Sequence, residues 1–133
     1  MAESEGAEPV IVEIDDEDEL YRRLASDHVT NGEINSAAFK YQGQPRSSTP
    51  VYQSISVDLA KLTTQEETLG RAHRPGFGLG VLVAGEPRLL GFSVRHDPEP
   101  EHEAHSLIEG ANDREKCRRL AEATRILVQP AGS

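Results

Sequence analysis

Apolar and polar positions alternate most clearly at residues 54–59, where Ile55, Val57 and Leu59 fall on one side and Ser54, Ser56 and Asp58 on the other. A period of two marks a strand buried on one face. The densest apolar run, 79–84, is short and bounded by glycines, which fits a strand buried on both faces. Residues 104–110 and 126–128 read as further strands, and 34–39 as a candidate partner for 54–59. Asn31-Gly32 and the polar segment 42–50 are the intervening breaks.

Helical periods are fewer. Residues 16–26 predict a helix with acids in its first turn, Leu20, Tyr21, Leu24 and Ala25 on one face and Arg22 and Arg23 following. Thr63 to Glu66, or Thr64 to Glu67, makes a capping box that opens a second helix running to about His73. Asp113 opens a third, with Cys117, Leu120, Ala121 and Thr124 on one face and mostly charged residues on the other. Gly85-Glu86-Pro87 either turns a hairpin or starts one helical turn through Gly91. The pattern predicts an α+β fold: a small single domain, mostly antiparallel sheet packed against two or three helices.

Charge divides the chain of 133 residues. Its net charge is −9, yet residues 1–19 hold nine acids and no Lys or Arg, which leaves fourteen acids and fourteen bases beyond them. An acidic, flexible tail over 1–16, one domain over 17–129 and a short C-terminal tail over 130–133 are therefore expected. Residues 10–14, VIVEI, are an edge strand or lead-in to the domain, or a linear motif of the kind that adds a strand to a partner's sheet, because an aliphatic stretch followed by acids resembles SUMO-interacting motifs. The lone cysteine, Cys117, reads as a buried small side chain and fits a reducing, cytoplasmic setting. The first residues lack the pattern of a secretory signal, and no apolar run is long enough for a membrane span.

Candidate chemistry concentrates at 95–105, RHDPEPEHEAH. His96, His102 and His105 with Asp97, Glu99, Glu101 and Glu103 supply metal-ligand and acid/base types within ten residues, and His96, Asp97, His102 and His105 are the candidate catalytic set. Pro98 and Pro100 argue for an extended loop there. No His-Glu-x-x-His spacing is present, so neither a metal nor another cofactor is expected. Ser36 and Ser56 lack a nucleophile-elbow context and would need a base nearby. Arg22, Arg95, Arg118 and Arg119 are the candidate binding residues for an anionic group. Arg114, Lys116, Arg118 and Arg119 form a basic patch diluted by Glu115 and Glu122, a weak basis for nucleic-acid binding.

The ordered set Leu20-Tyr-Arg-Arg, Ser36-Ala-Ala-Phe, Ser56-Val-Asp, His96-Asp-Pro and Ala104-His resembles that of small bacterial proteins of about this length. The resemblance spans most of 20–128 and implies no activity, cofactor or site residue. Two functions stay open. The first is a non-enzymatic accessory or protein-interaction domain with an acidic tail. The alternative is a small enzyme, hydrolytic in type, using the His/Asp/Glu loop at 96–105 for acid/base or metal chemistry.

Overall fold

A computed structural model describes residues 10–43 and 49–132. Their regular elements are β1 (Glu19–Leu24), β2 (Val29–Thr30), β3 (Glu33–Ile34), β4 (Val51–Leu59), α1 (Gln65–Gly70), β5 (Gly78–Val83), α2 (Gly85–Leu89), β6 (Ser93–His96), β7 (His105–Asn112), α3 (Arg114–Glu122) and β8 (Arg125–Val128). Six strands form one antiparallel sheet in the order β6-β7-β4-β1-β5-β8, while β2 and β3 pair separately. The fold is α+β.

Alternation along β4 does what its pattern predicts. Ile55, Val57 and Leu59 are buried in one core with Leu20, Leu24, Leu82, Val94 and Ile108 from neighbouring strands. The 3-10 turn Ser36–Phe39 and helix α3 cover this face, contributing Ala38, Phe39, Cys117, Leu120 and Ala121. Cross-strand partners share a face, so the pairings Asp58↔His105 and Asp58↔Tyr21 put Ser54, Ser56, Asp58, Tyr21 and His105 together on the opposite face. A polar side of the sheet is thereby assembled from three strands.

The expected helix over 16–26 is instead β1, the strand between β4 and β5. Leu20 and Leu24 are four apart, a spacing that serves a helix face and a strand face equally. Arg22, between them, points to the same core face, and its charge conceals the alternation. The 34–39 segment is also not a strand partner of β4. Only Glu33 and Ile34 are extended, pairing with β2 across the Asn31-Gly32 turn, whose residues have φ of 53° and 81°. Asn35 then caps the 3-10 turn by accepting from the Ala37 N–H at 2.9 Å.

Thr64 caps α1 through the Glu67 N–H at 3.0 Å, and Thr63 reaches the Glu67 carboxylate. The helix stops at Gly70, earlier than His73. Gly85 with Pro87 forms the helical turn α2, the second of the two readings of that segment. Asp113 caps α3 through the Lys116 N–H at 2.9 Å, and α3 buries Cys117, Leu120 and Ala121.

The packed chain begins before the expected boundary at residue 17. Ile14 is in the core, and Val12 packs against it. Arg88 donates to the Ile14 carbonyl at 2.7 Å and to the Asp16 carboxylate at 2.8 Å, while the Gly85 N–H donates to the Asp16 carbonyl. Residues 10–14 form no strand, and their attachment runs through side chains and caps. The part of the expected tail over 1–9 lies outside the described residues.

Candidate functional site

The 97–105 segment is a hairpin tip that extends β6 and β7 past the end of the regular sheet. Backbone bonds join Asp97 N to His105 O at 2.8 Å, Glu99 N to His102 O at 3.1 Å and His102 N to Glu99 O at 3.0 Å. Pro98 and Pro100 fit because the extended arm leaves their nitrogens outside this ladder. Leu59 N, donating to the Ala104 carbonyl at 2.8 Å, ties the tip to the end of β4. Asp97, Glu99, His102 and His105 are thus delivered to the polar side of the sheet, above Ser56 and Asp58.

Asp58 is the anchor. It is 2% exposed, a carboxylate buried in a strand. Such burial is tolerable only with partners, and Asp58 has three: the Thr68 hydroxyl at 2.7 Å, the Arg71 guanidinium at 3.1 Å and His102 Nε2 at 2.6 Å. Thr68 and Arg71 come from α1 and its C-cap. The capping threonines therefore serve the site indirectly, by starting a helix that holds it.

Tautomers follow from the partners. Asp58 already accepts from Thr68 and Arg71, so its other oxygen accepts from His102 Nε2–H, which leaves His102 Nδ1 as the lone-pair nitrogen of the neutral ring. That nitrogen lies 3.9 Å from a Glu99 oxygen. His105 Nδ1 faces acceptors only: the Asp97 carbonyl at 3.0 Å, the Asp97 carboxylate at 3.1 Å and Glu99 Oε2 at 3.8 Å. Its Nε2 faces the Ser56 hydroxyl at 3.4 Å. The two imidazoles meet edge to face with centroids 5.2 Å apart. Two histidine–carboxylate pairs, His102–Asp58 and His105–Asp97, stand side by side.

Arg95 lies on the same face, half-exposed, donating to Glu109 at 2.8 Å and Asp97 at 3.3 Å. The Arg95 hydrogen bond is the main reason that the Glu109 carboxyl is held below its usual range. A cavity of about 420 Å³ is lined by Glu17, Asp18, Glu19, Tyr21, Ala60 and Lys61; Tyr21 is the cross-strand neighbour of Asp58, and none of the cluster side chains lines the cavity. The larger cavity of about 440 Å³, between β3 and the end of α3, holds none of these residues.

His96 departs from the group. It is 3% exposed on the core side, its Nδ1 accepting from the Val12 N–H at 2.9 Å and its Nε2–H donating to the Glu103 carbonyl at 2.7 Å. Arg22 also points to the core side, donating to the carbonyls of Ala38 and Ser56, each at 2.9 Å. Loss of water around its guanidinium, with Arg23 nearby, pushes its pKa down to about 10. Arg118 and Arg119 are exposed on α3 and pair with Glu115 and Glu122 one turn away, far in function from the histidine cluster. Cys117 is buried, and that burial pushes its thiol pKa up.

Of the candidate catalytic residues, the structure brings Asp97, His102 and His105 together and sets His96 apart. Sequence reasoning missed Asp58, Thr68 and Arg71 as members of the same cluster. An aspartate inside a strand pattern was the available signal, because Asp is disfavoured in strands without a reason to be there. Ser56 acquires the neighbouring base that the sequence alone could not give it. No helix among the described residues is long and apolar enough to cross a membrane. No family model, curated protein or solved structure matches the chain.

Proposed function

We propose that the protein is a small enzyme of hydrolytic type that activates water at the histidine–carboxylate cluster formed by Asp58, Asp97, Glu99, His102 and His105. One observation carries this reading: two imidazoles, each oriented by its own aspartate at 2.6 Å and 3.1 Å, share one partly open sheet face. A base steered by a carboxylate is the arrangement used for proton transfer. A buried polar cluster also costs stability relative to apolar packing, so its presence on an outer face favours a role in chemistry. The buried thiol of Cys117 supports placement in a reducing compartment.

The test is turnover of a panel of nitrophenyl esters and phosphodiesters by the full chain. Activity should fall by about 10²-fold or more in His105→Ala and in His102→Ala, the usual contribution of a positioned base, with melting temperature retained. Turnover unchanged in both variants, or no turnover of any panel member, would count against the reading.

A second reading, a protein-interaction domain, is favoured by Val10 and Ile11, which are 77% and 64% exposed immediately before an acidic run. Apolar side chains in open solvent beside acids fit docking on a partner whose surface is apolar and basic. The truncation described below supplies the matching test.

A further inference from the structure

The geometry points to a divalent transition-metal site of the zinc class, with Asp97, Glu99 and His105 as protein ligands and a fourth position left to water. This inference rests on the hydrolytic reading and names its cofactor.

The donor atoms of Asp97, Glu99 and His105 all lie within 4.8 Å of one another. A tetrahedral zinc with bonds near 2.0–2.1 Å sets its ligand atoms about 3.3 Å apart. His105 Nδ1 is 3.1 Å from Asp97 Oδ2 and 3.8 Å from Glu99 Oε2, values that bracket that spacing. The two distances from His105 therefore need adjustments of only a few tenths of an ångström, and the Asp97 and Glu99 donor atoms lie within 4.8 Å of each other. Mixed imidazole and carboxylate donors suit zinc and its neighbours better than calcium or magnesium, which take oxygen.

A second observation lies outside the three ligands. His102 is held by Asp58, a buried carboxylate fixed in turn by Thr68 and Arg71. A carboxylate behind an imidazole fixes its tautomer and orientation. Here the support directs His102 Nδ1, a lone-pair nitrogen, towards Glu99. Without a cation, that lone pair faces a carboxylate. A metal held by Glu99 would place its bound water beside the carboxylate that His102 Nδ1 faces, and that nitrogen would serve as its base.

The proton bookkeeping closes. In the metal-free ring, His105 carries its proton on Nδ1. Metal binding would move the ring proton to Nε2, which would donate a hydrogen bond to the Ser56 hydroxyl oxygen 3.4 Å away. The charge on the neutral imidazole is unchanged. In turnover, a water at the open position would give one proton to His102 Nδ1, and its oxygen would bond to the electrophilic carbon or phosphorus as the bond from that atom to the leaving group breaks. The leaving group departs with that proton, which restores His102.

The experiment is titration of the chelator-stripped full chain with Zn²⁺ by calorimetry and with Co²⁺ by visible ligand-field absorption. About one equivalent per chain should bind, with tetrahedral-type cobalt bands. Glu99→Gln and His105→Ala should each weaken binding at least tenfold, whereas Asp58→Asn, which touches none of the three ligands, should leave Zn²⁺ binding in place and lower turnover. Should Asp58→Asn fail to fold, His102→Gln removes the same base without removing the buried acid, and should likewise lower turnover with Zn²⁺ binding kept. Binding in the Glu99→Gln/His105→Ala double variant equal to that of the unaltered chain would overturn the site. Turnover that persists after stripping would sink the metal alone. Tight binding at these ligands without turnover of any substrate would sink the hydrolytic reading alone.

Discussion

A charged residue on the core side of a sheet usually has a countercharge, and Arg22 has none among its hydrogen-bond partners. It uses its planar fork to satisfy two backbone carbonyls, Ala38 and Ser56. The need is visible in the ladder: β1 and β4 pair directly only at Leu20↔Leu59 and Tyr21↔Asp58. Beyond those pairs, the guanidinium supplies the donors that the β1 backbone does not. Arg22→Met keeps much of the apolar stem and removes both bonds. An unpaired buried acceptor costs about 1–3 kcal/mol, so the variant should unfold at lower urea, with a loss of about 2 kcal/mol. Chemical denaturation followed by circular dichroism checks this, and an unchanged midpoint would show that water replaces the guanidinium freely. The sequence made Arg22 a candidate for an anionic ligand because a charge beside Leu20 and Leu24 resembles a helix's solvent side.

At the scale of elements, the leader before β1 is the informative piece. Residues 12–16 are fastened by His96, Arg88 and Gly85, whereas Val10 and Ile11 are exposed. Deleting 1–11 should leave the melting temperature nearly unchanged. Deleting 1–16 removes Ile14 from the core and should lower it by several degrees, since losing a buried Ile costs about 2–5 kcal/mol. Differential scanning calorimetry of both truncations checks the pair. Capture of a partner lost already in the shorter deletion would support the interaction reading, and capture retained there would oppose it. Much of the element map was legible beforehand. The β4 alternation, the Thr64 and Asp113 caps and the glycine-bounded run at 79–84 each carry a local physical signal. What failed depended on distant contacts: β1 is a strand because β4 and β5 flank it, and 36–39 is a 3-10 turn because α3 and Arg22 hold it. The site was half legible for the same reason. The 97–105 residues are neighbours in sequence, but Asp58, Thr68 and Arg71 join them only through folding.

For the whole molecule, three shifted groups push pH dependence in one direction. The Asp15 N–H, aided by Lys61, holds the Asp18 carboxyl below its usual range, and Arg95 does the same for Glu109. Carboxylates lowered in the folded state add stability above their ordinary values and lose it as the pH falls through the folded ones. Burial lowers His28 from its ordinary 6.5, chiefly by desolvation. The unfolded chain then takes up that proton before the folded chain does, so stability is lost as the pH falls below 6.5 towards the folded value. Melting temperature should therefore decline steadily from pH 7 to pH 4. A maximum within that range would contradict the assignment.

His96 has both ring nitrogens committed, one to the Val12 backbone and the other to the Glu103 backbone. The leader and the tip that bears Glu99 and His102 thus hang from opposite sides of a single imidazole. Anything that drew Val12 away from this ring would break one of its two bonds and leave the Glu103 contact to hold the imidazole alone.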